Sequence, residues 1–180
     1  CEQEKIEFQP GATTSIKIRL ARCLRRLGNY SEAIKLLAEI LQQRSTMVDA
    51  QVEAAYTYQA WGSDRPNAYQ LAIKGTKQHK EIWGWGRLAQ RVHGHQKYLS
   101  VFHEARYNLA LCRFQLAQSR TGTERTDLLQ RAEKDILIVQ RLYPEMGGNE
   151  WYAKDDDLRR KIQGLRGVKA AGLKTAATSG

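Results

Sequence analysis

The sequence predicts an all-α fold built from repeated helical hairpins, and three observations carry that prediction. Proline is nearly absent from the interior, with three in 180 residues, while Leu, Ala, Gln, Arg and Glu dominate. Apolar residues recur three and four positions apart rather than two. The stretch "RLARCLRRLG" at 19–28 returns as "NLALCRFQLA" at 108–117, with Leu, Ala, Cys and Leu at the same spacings.

The elements follow in order. Ile16, Leu20, Leu24 and Leu27 mark one amphipathic helix, "GNY" interrupts, and Ala33, Ile34, Leu37, Ile40 and Leu41 mark a second running back. A second hairpin begins at Val48, with Ala55 in its first helix, Trp61-Gly62 at the turn, and Ala68 and Ala72 in its second helix after "SDRPN". Between the hairpins, 81–102 is an insertion in which Ile82, Trp83, Trp85, Leu88, Ala89 and Val92 line one side of a short helix. "HGH" breaks it before a long helix over about 96–119. The third hairpin has Leu109-Ala110 in its first helix and Ala132 and Ile136 in its second, and "SRTGTERTDLLQ" adds about ten residues to its turn. "EMGGNEWYAKDDDLRRKIQGL" reads as a Gly-Gly break followed by a capping helix at about 151–163, with acids leading and bases trailing as the helix dipole favours.

"LGNYSEAIKLL", with small residues at Ala21 and Ala33, Gly28-Asn29-Tyr30 at the turn and Leu37 at the large apolar place, resembles a tetratricopeptide repeat, a unit of about 34 residues. Ser45 replaces the usual closing proline, whereas Pro144 stands where the third copy wants it. The resemblance implies an α-solenoid of about three units, at 14–47, 48–80 and 103–146, within a domain spanning 1–163. It leaves 164–180 as a basic flexible tail. "ARYNLALCRFQLA" with "RLYPEMGGNEWYAK" also resembles the C-terminal end of large bacterial proteins of this repeat class, over about 80–163. "EKIEFQPG" resembles the last turn of a preceding second helix, so the chain reads as a piece of a longer array. Cys23 and Cys112 then occupy one repeat position, where a small buried residue is expected, rather than forming a disulfide.

The charge of +10 invites a nucleic-acid reading, but residues 158–180 supply +6 of it through Arg159, Arg160, Lys161, Arg166, Lys169 and Lys174. No window approaches the roughly 20 apolar residues of a membrane helix, and no secretory signal is legible in "CEQEKIEFQPG". A first-residue cysteine also begins mature lipoproteins; compartment stays open. His93, His95 and His103 lack the spacing and the carboxylate or cysteine partners of a zinc site. Asp155, Asp156 and Asp157 read as acids of a helix first turn rather than cation ligands. No P-loop, dinucleotide fingerprint or G-x-S-x-G elbow occurs. The expectation is a non-enzymatic chain without cofactor or metal, with Trp83 and Trp85 in the core rather than in a ligand cage.

In the family resembled, first helices line a concave groove. Carried over residue by residue, its positions fall on Arg22, Arg25 and Arg26 in the first unit, Tyr56 and Gln59 in the second, and Tyr107, Leu111 and Phe114 in the third. Such a groove, basic at one end and aromatic at the other, suits an extended peptide or helix with acidic and apolar side chains. A solvated charge run is the plainer reading of the three arginines. Ile18 and Arg22 stand where chaperone-binding members carry the first Lys and Asn of a carboxylate clamp, so capture of an acidic C-terminus is not implied. The expected function is a protein-binding scaffold, with a nucleic-acid-binding repeat and a purely structural spacer as alternatives.

Overall fold

The computed structural model describes residues 10–77 and 80–173. Among them are eight α-helices and no strand: α1 (Pro10–Arg26), α2 (Tyr30–Gln43), α3 (Val48–Trp61), α4 (Ala68–Lys74), α5 (Gly84–Val92), α6 (Leu99–Gln118), α7 (Gly122–Leu142) and α8 (Asn149–Leu165). A 3-10 turn at Gln96–Tyr98 leads into α6. The helices pack in consecutive pairs, α1 on α2, α3 on α4 and α6 on α7. In addition α1 touches α3, α4 touches α6, and α8 touches both α6 and α7.

The small residues predicted at close approaches are all interior. Ala21, Ala33, Ala55, Ala72, Ala110 and Ala132 are each 0% exposed, which lets neighbouring backbones approach where a longer side chain would separate them. Two apolar clusters result. The larger joins α1 through α6 and includes Leu37, Leu41, Tyr58, Trp85 and Leu88; the smaller joins α6, α7 and α8 through Ala110, Ile136, Leu158 and Ile162. Helix α6 contributes Leu109, Cys112 and Leu116 to one cluster and Ala110 and Ala117 to the other. Being apolar on more than one side, it lies between layers instead of at the surface.

The insertion behaves as expected. Ile82, Trp83, Trp85, Leu88, Ala89 and Val92 are all buried, and α5 covers α3, α4 and α6. Gln51 fastens this cover: its amide donates to the carbonyls of Ser45 (2.8 Å) and Glu81 (2.6 Å) and accepts from the Trp83 N–H (3.0 Å).

Four expectations are corrected. The residues of "SRTGTERTDLLQ" do not enlarge a turn; most belong to α7, which starts at Gly122 and is 21 residues long, because their apolar members continue its periodicity and Leu129 is buried. Cys23 and Cys112 are not equivalent: Cys112 is buried and Cys23 is exposed. The cause lies in the phase of α1, which turns Ile18 and Ala21 to the core and leaves Ile16, Leu20 and Leu27 at 52%, 51% and 75% exposure. The tail is not free from residue 164 onward. Helix α8 runs to Leu165, and the next residues fold back on it: Leu173 is buried, its N–H donates to Asp156 Oδ1 (2.5 Å), and Arg159 donates to the Gly172 carbonyl. Residues 174–180 lie outside the described residues. Finally, Asp155, Asp156 and Asp157 are not in a first turn, since α8 begins at Asn149; Asp155 is buried and the other two face Arg160 and Lys161.

Candidate binding surface

The eight residues predicted to line a groove stand on α1, α3 and α6, and side-chain contacts link four of them, Arg22, Arg25, Tyr56 and Gln59, into one strip. At its basic end, Glu53 on α3 is 1% exposed and receives two guanidinium groups from α1, Arg22 Nε at 2.9 Å and Arg25 Nε at 2.6 Å. An acid held this deep is stable only with its charge matched. The two arginines are therefore committed to an inward contact; the Arg22 side chain remains 50% exposed and Arg25 only 21%. Arg26 is exposed and takes no part in this contact.

From there the strip continues through side chains. Arg25 lies over the Tyr56 ring, 5.6 Å from its centroid. The Tyr56 hydroxyl donates to Glu104 Oε1 of α6 (2.5 Å), and its ring meets Trp85 edge-on at 4.8 Å. Burial and the neighbouring Glu104 carboxylate push the phenol pKa far above its usual value, so Tyr56 is a permanent donor. Gln59 accepts from Trp85 Nε1 (2.8 Å) and donates to Asn108 Oδ1 (3.0 Å), while Asn108 Nδ2 donates to the Glu104 carbonyl (2.9 Å). Tyr56 and Gln59 thus bind α3 to α6 rather than standing ready for a ligand.

The apolar end differs. Tyr107 packs on Trp151 of α8 (5.9 Å), and Lys154 sits 4.6 Å above that indole. Leu111 and Phe114 pack against the second core cluster while remaining half-buried. Phe114 also lines a surface cavity of ≈ 450 Å³ together with Gln118, Arg125, Lys161, Gly164 and Leu165. Leu165, 40% exposed, gives it apolar surface beside Phe114. Two cations, Arg125 and Lys161, also line it, and Lys161 pairs with Asp157 at 2.6 Å.

Sequence reasoning missed the acid partners. Glu53, Glu133 and Asp135 are all buried, and each is shared by two arginines: Arg22 and Arg25, Arg159 and Arg166, and Arg106 and Arg113 respectively. The available signal was an acid on the apolar side of a helix, as with Glu53 between Ala50 and Ala54. Among the described residues no group of three His, Cys, Asp or Glu is placed to hold a metal ion. His103 is 4% exposed against Phe102 and Tyr143, and burial lowers its pKa, so it is neutral. No helix among the described residues is long and apolar enough to cross a membrane. No family model, curated protein or solved structure matches this chain.

Proposed function

We infer that the chain is a non-enzymatic α-solenoid segment of tetratricopeptide type that binds a partner polypeptide on the α6–α8 side of its first-helix strip. The observation that carries this reading is the contrast between the two ends of the predicted groove. Arg22, Arg25, Tyr56 and Gln59 are occupied by partners between α1, α3, α5 and α6, whereas Phe114 lines an open surface cavity with Leu165, Arg125 and Lys161, the last held only by the exposed Asp157 of its own helix. An apolar side chain next to a carboxylate matches that chemistry, since a seated aromatic or aliphatic anchor supplies area and a lining cation supplies orientation. The packing of α3, α6 and α8, each against a helix of the hairpin before it, supports the stacked-repeat reading.

The nucleic-acid alternative loses its main support. Of the six cations counted in 158–180, Arg159, Arg160, Lys161 and Arg166 are engaged by Glu133, Asp156 and Asp157. A backbone-tracking cationic groove needs unmatched charge.

Panning a random peptide library against the full chain tests the proposal. Selected peptides should share an apolar residue within a few positions of Asp or Glu. The double variant Arg125→Glu, Lys161→Glu should weaken them about tenfold, roughly 1.4 kcal/mol. Selected peptides without acids, or binding unchanged by the double variant, would show that this cavity is not the site. Tight salt-sensitive binding of single-stranded nucleic acid instead would restore the alternative.

A further inference from the structure

Helix α1 has a second face that the cavity around Phe114 does not explain. Ile16, Leu20 and Cys23 of α1, and Leu27 just past its end but still bonded by its N–H to the Cys23 carbonyl (3.0 Å), follow at spacings of four, three and four, the d-a-d-a order of a two-heptad coiled-coil seam. All four are exposed, and they point away from Ile18 and Ala21, which bind α1 to the core. The seam is about 16 Å long at the rise of an α-helix. A helical seam of this pattern, exposed among the described residues, is an interaction surface with a defined occupant geometry, a second helix laid along it.

Charge selects the occupant. The positions flanking the seam hold Lys17 on one side and Arg19 and Arg26 on the other, none of them ion-paired among the described residues, and α1 contains no acid. A second copy laid antiparallel would set Arg19 against Arg26 twice, cation on cation, in the flanking positions that decide pairing. An acidic-flanked helix instead places a carboxylate against each cation. We propose that the α1 seam docks an amphipathic helix of a partner protein with apolar seam residues and Glu or Asp at the flanking positions.

The test uses the full chain and two synthetic helices of about 21 residues, both with Leu at a and d, one with Glu and the other with Lys at e and g. Fluorescence anisotropy should show the Glu helix binding at least about tenfold more tightly than the Lys helix, the gap closing with salt. Leu20→Glu should abolish binding. Because Leu20 is half exposed, this variant should unfold at the temperature of the parent. Arg19→Glu with Arg26→Glu should reverse the preference. The docked helix should also slow alkylation of Cys23 in the tryptic peptide that contains it, a readout at the seam itself. Equal binding of both helices, binding that survives Leu20→Glu, or unchanged Cys23 labelling would each overturn the proposal. A concentration-dependent dimer blocked by Leu20→Glu would overturn it in favour of a second copy.

Discussion

At the scale of single residues, most of the energetic risk in this protein sits on buried carboxylates. Glu53 illustrates why the arginines near it matter for stability more than for recognition. Removing both guanidinium groups leaves an uncompensated buried charge, a change that typically costs about 3–5 kcal/mol. The Arg22→Ala, Arg25→Ala double variant should therefore lose about 3 kcal/mol in urea denaturation, while Arg22→Ala alone, from a half-exposed side chain, should lose about 1 kcal/mol or less. Asp155 is a different case, a carboxyl whose pKa burial raises from 3.8 to about 7, with Arg106 pulling only partly the other way. The folded state therefore holds a proton that the unfolded chain has released. Asp155 contributes full stability below pH 3.8 and loses it progressively as pH rises through 7. Asp155→Asn should raise stability at pH 8 by on the order of 3 kcal/mol and flatten the dependence between pH 4 and 7, as followed by thermal melts at a series of pH values. His103 acts in the opposite sense, since its lowered pKa makes its contribution present above pH 6.5 and lost on acidification. The thiols separate as well. Cys23 should alkylate at the rate of a free thiol, whereas Cys112, buried and with its pKa pushed up, should react only on unfolding. Peptide mass mapping during a time course distinguishes them.

At the scale of elements, the close approaches between helices depend on alanine. Ala132 on α7 is fully buried within the cluster shared by α6, α7 and α8. Ala132→Leu should cost about 1–3 kcal/mol by forcing side chains from their rotamers, and a calorimetric melt unchanged by this variant would contradict the packing described. The connection to α8 shows the same economy of space in backbone form. Gly147 has φ 80°, and a Cβ there would strike the His103 ring, so both conformation and contact reserve the position for glycine. Helix α8 itself is held by side chains that cross elements: Arg159, Gln163 and Arg166 all reach Glu133 of α7. It is attached by buried polar pairing as much as by Leu158 and Ile162.

At the scale of the whole molecule, two apolar clusters meet on α6, and the chain after α8 closes the smaller one. Deleting 166–180 would remove Arg166 from Glu133 and Leu173 from the second cluster. Its expected effect is a lower unfolding temperature with early amide exchange in α8, whatever the chain binds. Deletion of 174–180 alone serves as the comparison, since it leaves 166–173 in place. Loss of α8 protection in the longer deletion, with the shorter one silent, would establish that 166–173 are structural.

The amino-acid sequence alone determined the all-helical class, the alanine positions that became interior, the burial of Trp83 and Trp85, and the presence of a last helix after the Gly-Gly break. Each is a local signal, a spacing or a residue size, that survives in any arrangement of the neighbours. Only tertiary structure decided which face of α1 meets the core. Periodicity picked out Ile16, Leu20, Leu24 and Leu27, yet Ile18 and Ala21 face the core, because spacing alone does not supply the phase that packing on α2 and α3 imposes. Tertiary structure also decided that two of the three arginines of the predicted groove, Arg22 and Arg25, are spoken for. Their partner Glu53 lies 31 and 28 residues away in sequence, a pairing that no local pattern encodes and that the desolvation cost of a buried carboxylate makes obligatory once the helices have packed.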